Sequence, residues 1–278
     1  MTFPKTETLK ARQVGDLLYY TFPSFDGIDF VRHGVSTRLG GVSEGTFASM
    51  NLSFTRGDDP AAVRENFDRF CAAIRVKAED VVISAQTHTA NVKIVTAADR
   101  GQGITRDKEY TDVDGLITND PNVVLCTQYA DCVPLLFVDP VKRVVATSHA
   151  GWRGTAAGIA AVTVEKMVET FGCNPEDILA GIGPSIGYCC FEVDTSVYEA
   201  FCRVPVFDEG CYTDDGDGKY HINLQEVNRR WMLRAGLRPE QITVTDLCTK
   251  CRPDVFWSHR ITGDARGSLA AFIAIADK

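Results

Sequence analysis

The sequence lacks the segments that direct proteins to membranes or anchor them there. Its N-terminus, MTFPKTETLKARQVG, contains no apolar run typical of a signal peptide. An uninterrupted apolar stretch of about 18 residues, the least that a transmembrane helix needs, is also absent. Internal repeats, low-complexity segments and Pro/Ser-rich linkers are missing as well. We therefore expect a cytoplasmic protein without membrane association, in which residues 1–278 form a single domain.

An excess of positive charge is missing too. The chain has 29 Lys and Arg against 37 Asp and Glu, which gives a formal net charge of −8. Binding to nucleic acid or to an anionic membrane requires a broad basic surface. The composition therefore argues against both partners, although it leaves room for a local basic pocket that binds a small anion.

Cysteine, in contrast, is abundant, with ten residues in the chain. Because no export signal is visible, we expect reduced thiols rather than a disulfide framework. A disulfide between the neighbours Cys189 and Cys190 would be strained, so we interpret both as packing residues. Cys248 and Cys251 form a single C-x-x-C pair, which is half of a zinc knuckle without a visible second half. We interpret this pair as structural.

The hydrophobic pattern predicts a mixture of strands and helices. Runs rich in β-branched residues predict strands at 81–84, 92–96, 113–118, 123–127, 134–139, 143–148, 178–183, 242–246 and 269–276. Capping residues and helical spacing predict helices at 60–75, 155–171, 194–202 and 224–235. The glycine-rich segment 32–59 and the polar segment 208–221 are predicted to be a loop and an exposed excursion. Strands in runs without strict βαβ alternation favour an α+β fold, with mixed sheets packed together and flanked by helices.

Three residues on separate segments carry the strongest chemical signal. His88 lies in QTHTANVKIV, Cys132 in YADCVPLLFVDP and His149 in ATSHAGWRGTAAG, each at the end of an apolar run. Two imidazoles and one thiol match the ligands of a catalytic zinc ion, and without metal they match a Cys–His nucleophile pair. Asp131 could orient a histidine ligand, as carboxylates commonly do. Strand alternation would instead direct its side chain away from Cys132, which leaves both alternatives open.

A second set of residues is suited to binding a substrate. Gly151 and Gly154 allow close backbone approach before a helix N-terminus, where an anion is favoured, and Arg153 adds a guanidinium. Trp152 could stack on a base, but a core position is the simpler interpretation. Further candidate substrate-binding residues are Arg38 and Asn51, in the glycine-rich loop, and Arg260, which follows His259.

The segments QTHTANV, ADCVPLL, SHAGWRGT, GPSIGYCCFEV and WSHR occur in this order. Together they resemble the laccase-domain proteins, also called the YfiH or peptidoglycan-editing-factor family and formerly multicopper polyphenol oxidases. The resemblance covers about residues 28–275. It implies two packed sheets between helices and a metal-ligand set of His88, Cys132 and His149. It also implies purine nucleoside phosphorylase activity on adenosine, inosine and S-methyl-5'-thioadenosine, with some adenosine deamination.

One segment departs from the family pattern. Family members usually carry a Gly-Arg pair shortly after the Ser-x-Arg segment, whereas this chain has GDARGSL. Arg266 is the candidate replacement for the usual arginine.

The leading hypothesis from the sequence is zinc-dependent phosphorolysis of a purine nucleoside to free base and ribose 1-phosphate. Copper is the less favoured metal, because five histidines are too few for several copper centres. The expected partners are a nucleoside and phosphate, and the expected state is a monomer or a homodimer. One alternative is a Cys–His amidohydrolase that edits a peptidoglycan precursor, with Cys132 as nucleophile and His149 as base. Another is a metal-stabilised binding protein without catalysis.

Overall fold

The structure is a computed structural model that describes residues 4–276. Within these residues, the strands are β1 (Lys10–Val14), β2 (Leu17–Thr21), β3 (Val31–Ser36), β4 (Val81–Ile83), β5 (Val92–Ile94), β6 (Gly115–Thr118), β7 (Val124–Tyr129), β8 (Val133–Asp139), β9 (Val144–Ala150), β10 (Leu179–Ile182), β11 (Glu192–Asp194), β12 (Tyr212–Gly216), β13 (Lys219–Ile222), β14 (Ile242–Val244) and β15 (Leu269–Ile275). The helices are α1 (Pro23–Asp26), α2 (Pro60–Ala73), α3 (Trp152–Ala156), α4 (Ile159–Phe171), α5 (Thr195–Phe201), α6 (Leu224–Arg234) and α7 (His259–Thr262). Every one of these helices is too short or too polar to cross a bilayer.

Two six-stranded mixed sheets form the centre of the fold. The first has the strand order β1-β2-β3-β15-β7-β4 and the second has the order β14-β10-β8-β9-β6-β5. Most neighbours are antiparallel, but β4 with β7, β5 with β6 and β10 with β14 are parallel. A small third sheet, β11-β13-β12, lies beside them. The predicted α+β fold with packed mixed sheets is confirmed.

Alternation along the strands explains how the layers pack. In β15, Ile273 belongs to the core between the two sheets, while its neighbour Phe272 packs against α2 on the outer face. In β8, Leu136 likewise faces the first sheet and Phe137 packs towards α4 and α6. Side chains on a strand point alternately to its two faces, so strands that are buried on both faces are apolar throughout. The result is four layers, with α2 and the α4–α6 pair outside.

The ends of the helices follow from their capping residues. Asp59 accepts a hydrogen bond from the N–H of Ala61, and Pro60 begins α2, as the sequence predicts. Gly172 ends α4 with a φ of +66°. The prediction of one helix over 155–171 is wrong, because Gly158 adopts a φ of +79° and separates α3 from α4. A Cβ at Gly158 would lie 3.2 Å from the Trp231 ring, so glycine allows the close approach of α6.

Two further expectations need correction. The predicted loop 32–59 begins with a strand, since β3 contains residues 32–36 and pairs with both β2 and β15. The excursion 208–221 is mostly exposed, as predicted. It has regular secondary structure, however, because β12 and β13 form a hairpin there. Both segments are short of apolar residues on one face, which hides a strand from a search for hydrophobic runs.

His33, in β3, makes the stability of the fold depend on pH. Its Nε2 accepts a hydrogen bond of 2.8 Å from the backbone N–H of Phe22, and the side chain is buried against Phe22 and Phe25. Burial lowers the pKa of His33 to about 4. The folded protein therefore holds a neutral imidazole at pH values where the unfolded chain is protonated.

We expect the free energy of unfolding to fall by about 2 kcal/mol between pH 7.5 and pH 5 through His33 alone. The sign follows because the unfolded state, with a histidine pKa near ~6.5, binds the proton first as the pH falls. Urea unfolding across this range should show a smaller loss of stability in His33→Gln, whose amide accepts the Phe22 N–H but does not titrate. An identical pH dependence in both proteins would contradict the assignment.

Candidate metal centre and adjoining pockets

The His88, Cys132 and His149 side chains, called the trio below, meet where strands of both sheets end. His88 lies in the loop between β4 and β5, Cys132 lies in the turn from β7 to β8, and His149 is in β9. Since β7 belongs to the first sheet and β8 to the second, Cys132 lies where the chain crosses between sheets. The ligand atoms of the three residues all lie within 4.8 Å of one another.

This spacing fits one metal ion. The Cys132 Sγ and the His88 Nε2 are 4.0 Å apart. A tetrahedral zinc ion, with Zn–N near ~2.1 Å and Zn–S near ~2.3 Å, would separate the two atoms by about 3.6 Å. His88 is exposed, Cys132 is partly buried and His149 is buried, so the set is accessible from outside. Three protein ligands leave a coordination position open, which is typical of a catalytic rather than a structural zinc site.

Gly151 allows the trio to come together. A Cβ at this position would lie 2.6 Å from Cδ2 of His88 and 3.3 Å from the Cys132 Sγ. Any other residue would therefore displace the imidazole of His88. This explains why the HAGWRG segment has glycine directly after His149 and Ala150.

Asp114, which the sequence analysis missed, orients two members of the trio. Its buried carboxylate accepts hydrogen bonds from the backbone N–H groups of residues 87, 88 and 89. The same carboxylate lies 2.8 Å from Nδ1 of His149, which leaves Nε2 of that ring for a ligand. Three convergent N–H donors force left-handed backbone on His88, at a φ of +68°. In the sequence, the only sign of this role of Asp114 is its position near the start of the predicted strand 113–118.

The ionisable groups of the site stabilise one another's charged forms. Burial opposes ionisation of Asp114, but its hydrogen bonds with His149 and with the Thr87 and Thr89 N–H groups hold its pKa below the ordinary value. Burial likewise opposes the thiolate of Cys132, but the facing histidines outweigh burial and lower its pKa. Cys132 and Asp114 in turn raise the pKa of His149 against the effect of burial. The metal-free site therefore favours a thiolate, which is the form that binds metal.

Asp131 has a different role from the one considered in the sequence analysis. It orients no histidine. Its buried carboxylate accepts hydrogen bonds from the hydroxyls of Thr249 and Ser258 and from the backbone N–H of Arg260. Its backbone carbonyl accepts the N–H of Ile186. Asp131 therefore fixes the segments 185–187 and 249–260 beside Cys132, and its φ of +80° makes the turn that this requires.

Two pockets adjoin the trio, and both are lined by His88 and Cys132. The first has a volume of about 420 Å³, and its lining includes three cationic side chains, Arg56, Lys108 and Arg266, and one carboxylate, Asp112. The second has a volume of about 220 Å³ and includes Trp152, Phe191, Arg153 and Arg260. The trio thus separates a cationic pocket from a pocket with aromatic walls.

The first pocket has two guanidinium groups with unsatisfied donors. Nε of Arg56 and Nε of Arg266 are buried and have no hydrogen-bond partner among the described residues. Arg266 is only 5% exposed, and burial, followed by the charge of Arg56, lowers its pKa to about 10. It therefore remains charged at neutral pH. Arg56 is half-buried and pairs with the exposed Asp264 through its Nη1, at 3.2 Å. Two neighbouring cations, each with one free buried Nε donor, form a site suited to an anion.

The second pocket contains two of the predicted substrate-binding residues. Arg153 lies over the Trp152 ring, at 4.3 Å from its centroid, and is exposed. Arg260 lies 5.4 Å from the Phe191 ring and donates a hydrogen bond of 2.9 Å to the carbonyl of Glu192. Trp152 is half-buried, so it both packs against the core and lines the pocket. The helix that follows Gly151 has only five residues, which weakens the expected helix-dipole contribution.

The other two predicted substrate-binding residues lie elsewhere. Arg38 lies over the Trp257 ring at 3.8 Å and donates hydrogen bonds to the carbonyls of Ala48 and Pro253. Asn51 is fully buried and accepts the N–H groups of Ser53 and Ser268. Neither residue lines the two pockets. Both hold the glycine-rich loop against the C-terminal segment, in which Arg266 lies.

Replacing Asp114 by asparagine should weaken metal binding about 10- to 100-fold, the usual cost of losing a carboxylate behind a ligating histidine. The amide removes the charge that favours the His149 orientation and presents an N–H group to backbone donors. Competition with a chromophoric chelator measures the affinity. Asp112→Asn is the matched control, since this exposed carboxylate binds Thr87 and Asn91 on the same loop but not His149. Equal affinities in the two variants would contradict the role of Asp114.

Comparison with known proteins places the fold and the site in a family. A family model described as multi-copper polyphenol oxidoreductase laccase matches residues 32–276. Purine nucleoside phosphorylase YlmD of Bacillus subtilis (strain 168) is 38% identical over 248 residues, covering 88% of this chain and 88% of that protein. Adenosine deaminase RL5, from an unknown prokaryotic organism, is 33% identical over 231 residues, covering 82% and 88%.

A solved structure agrees with these matches along almost the whole chain. The crystal structure of the Bacillus licheniformis hypothetical protein YfiH is 36% identical, covers 95% of this chain and 98% of its own, and has a TM-score of 0.89. Both the fold and the sequence therefore identify the relatives that the motifs predicted. The chain belongs to the multi-copper polyphenol oxidoreductase laccase family, the family of the YfiH and YlmD proteins.

Proposed function

We propose that this protein is a purine nucleoside phosphorylase, which uses phosphate to cleave the N-glycosidic bond. The observation that carries the proposal is the position of the trio between a cationic pocket and an aromatic one. The relatives support it, since YlmD of Bacillus subtilis is named a purine nucleoside phosphorylase. Adenosine, inosine and S-methyl-5'-thioadenosine are the proposed substrates.

Phosphate is assigned to the first pocket. Free buried donors on Arg56 and Arg266 match the acceptor oxygens of phosphate, and Lys108 adds a third positive charge. These groups would neutralise the anion and hold it close to the anomeric carbon. Positioning of this kind supplies much of the acceleration in a reaction of two substrates.

The purine base is assigned to the second pocket. Trp152 and Phe191 offer flat apolar surfaces for stacking, and Arg153 and Arg260 offer donors to ring nitrogens or exocyclic groups. Phosphate and base would then approach the ribose from opposite sides. Attack by a phosphate oxygen forms the new C–O bond, while the electron pair of the broken C–N bond leaves with the purine.

The trio lies where the ribose and the glycosidic bond would be. His88, Cys132 and His149 would hold zinc, with Asp114 fixing the ring of His149. When bound, zinc would supply Lewis acidity toward a substrate atom. Arg56 and Arg266 would hold the phosphate, and the stacked aromatic rings would orient the base.

Two other activities have specific support. Adenosine deamination is suggested by the relative named adenosine deaminase RL5, but no glutamate able to shuttle protons lines either pocket among residues 4–276. A Cys–His amidohydrolase is suggested by the mutual pKa shifts of Cys132 and His149 in the metal-free site. Phosphorolysis accounts for the anion pocket, which deamination of the uncharged adenosine does not require.

The direct test incubates the purified protein with a panel of nucleosides, with and without phosphate. We expect free base and ribose 1-phosphate in equal amounts, formed only when phosphate is present. Chromatography of the bases and an enzymatic assay of the sugar phosphate measure both products. Metal analysis of the same preparation gives the zinc content.

Each alternative has its own result in this experiment. Base release without phosphate would contradict phosphorolysis, and inosine formed from adenosine without base release would favour deamination. Activity that survives removal of zinc and stops on alkylation of Cys132 would favour the amidohydrolase. Loss of activity on chelation, with recovery when zinc is returned, is the expected outcome.

Arg266→Gln should raise the KM for phosphate about 10- to 100-fold, because a charge-assisted hydrogen bond contributes about 1.5–3 kcal/mol. The KM for the nucleoside should change much less, since Arg266 lines only the first of the two pockets. Steady-state kinetics with each substrate varied in turn separates the two values. Arg69→Gln, which removes a surface arginine paired with Glu65 on α2, is the control. A larger change in the nucleoside KM would contradict the assignment of phosphate to this pocket.

A further inference from the structure

Four cysteines outside the trio converge on one point of the surface. Cys189 and Cys190 lie in the turn before β11, and Cys248 and Cys251 lie in the loop after β14. The Sγ atom of Cys251 lies 3.6 Å from that of Cys189 and 3.5 Å from that of Cys190, and the vicinal pair is separated by 3.7 Å. All four sulfur atoms lie within 4.8 Å of one another. Cys189 and Cys190 therefore form the second cysteine pair of the cluster, which was not visible from the C-x-x-C spacing in the sequence.

The distances match a metal site better than a disulfide. Zinc–sulfur bonds of ~2.3 Å in a tetrahedron place the sulfur atoms about 3.8 Å apart. A disulfide would require about 2.05 Å, well below the separations of 3.5–3.7 Å among Cys189, Cys190 and Cys251, and all four cysteines are free thiols. Adjacent side chains in a strand point to opposite faces. The turn closed by the hydrogen bonds of Cys190 and Phe191 to the carbonyl of Gly187 brings the vicinal pair to one side.

The backbone at Gly187 donates to one sulfur atom of the cluster and leaves space between the two cysteine pairs. The N–H of Gly187 donates a hydrogen bond of 3.2 Å to the Sγ of the buried Cys248. A Cβ at Gly187 would lie 3.1 Å from Cβ of Cys248 and 3.3 Å from the Sγ of Cys189. Glycine at this position keeps the space between the two cysteine pairs open.

We propose that Cys189, Cys190, Cys248 and Cys251 bind one zinc ion, as a structural site separate from the trio. Four thiolates are a closed ligand set, which is typical of structural zinc and leaves no open position for a substrate. Cys190 also packs against the core, as predicted, whereas Cys189 is exposed and does not. The proposal does not depend on the reaction that the trio performs.

The site would fix one wall of the aromatic pocket. The turn with Cys189 and Cys190 leads into Phe191, and the segment after Cys251 leads to Arg260. Asp131 already holds both segments from the other side, through the N–H of Ile186 and the hydroxyl of Thr249. Zinc would join them a second time, where Arg260 donates to the carbonyl of Glu192. Loss of zinc should therefore loosen the pocket wall while leaving the trio able to bind its own ion.

Metal content tests the proposal directly. The intact chain, purified under reducing conditions without chelator, should hold one zinc ion more than Cys251→Ser, measured by elemental analysis against protein concentration. Cys202→Ser, which replaces an exposed cysteine outside the cluster, should keep the full content. Cys132→Ser should lose only the ion of the trio. Equal zinc in Cys251→Ser and the intact chain would overturn the proposal.

A second measurement guards against a Cys251→Ser variant that fails to fold. Cys132→Ser, loaded with cobalt in place of zinc, should show the intense sulfur-to-cobalt charge transfer and ligand-field bands of a tetrathiolate site. Its four cluster thiols should also resist alkylation until the metal is removed, as peptide mass spectrometry would show. Absence of these bands, or a disulfide among the four cysteines in the protein kept reduced, would overturn the proposal.

Discussion

The Asp114 carboxylate is the constraint on which the site depends. A buried carboxylate is costly unless its oxygens are satisfied, and here it accepts three backbone N–H groups and lies against the ring of His149. These contacts fix the backbone that carries His88 and the tautomer of His149 at once. Two of the three trio residues thus share a single anchor. The third, Cys132, is held through its neighbour Asp131, which is satisfied by a separate set of donors.

The sheet register explains why this anchor lies where it does. Gly115 in β6 pairs with Ser148 in β9, so Asp114 lies beside His149, whose N–H donates to its carbonyl. The parallel pairing of β5 with β6 brings the loop that carries His88 to the same edge. Because β8 also pairs with β9, the turn with Cys132 ends near the same place. The trio is therefore a consequence of strand order rather than of local sequence.

Sequence patterns predicted the parts that depend on local chemistry. Buried strands, the cap at Asp59 and the stop at Gly172 follow from side-chain properties within a few residues. The roles of Asp114 and Arg266 could not be deduced in this way, because both depend on partners that the fold brings from distant segments. Arg38 and Asn51 illustrate the converse. Each has the chemistry of a substrate ligand, but its hydrogen bonds go instead to backbone groups of the glycine-rich loop and of residues 253–268.

The positions of the histidines argue against the chemistry that the family description suggests. Multicopper oxidases need several copper centres with many histidine ligands, and this chain has five histidines. His33 accepts a backbone N–H in the core, and His221 and His259 bind Asp215 and the carbonyl of Gly263. Only His88 and His149 share a ligand group among the described residues. That group provides ligands for one ion, zinc or a single copper, beside a pocket with unsatisfied buried arginine donors. A group with ligands for one ion lacks the ligand set that passing electrons between several copper centres requires.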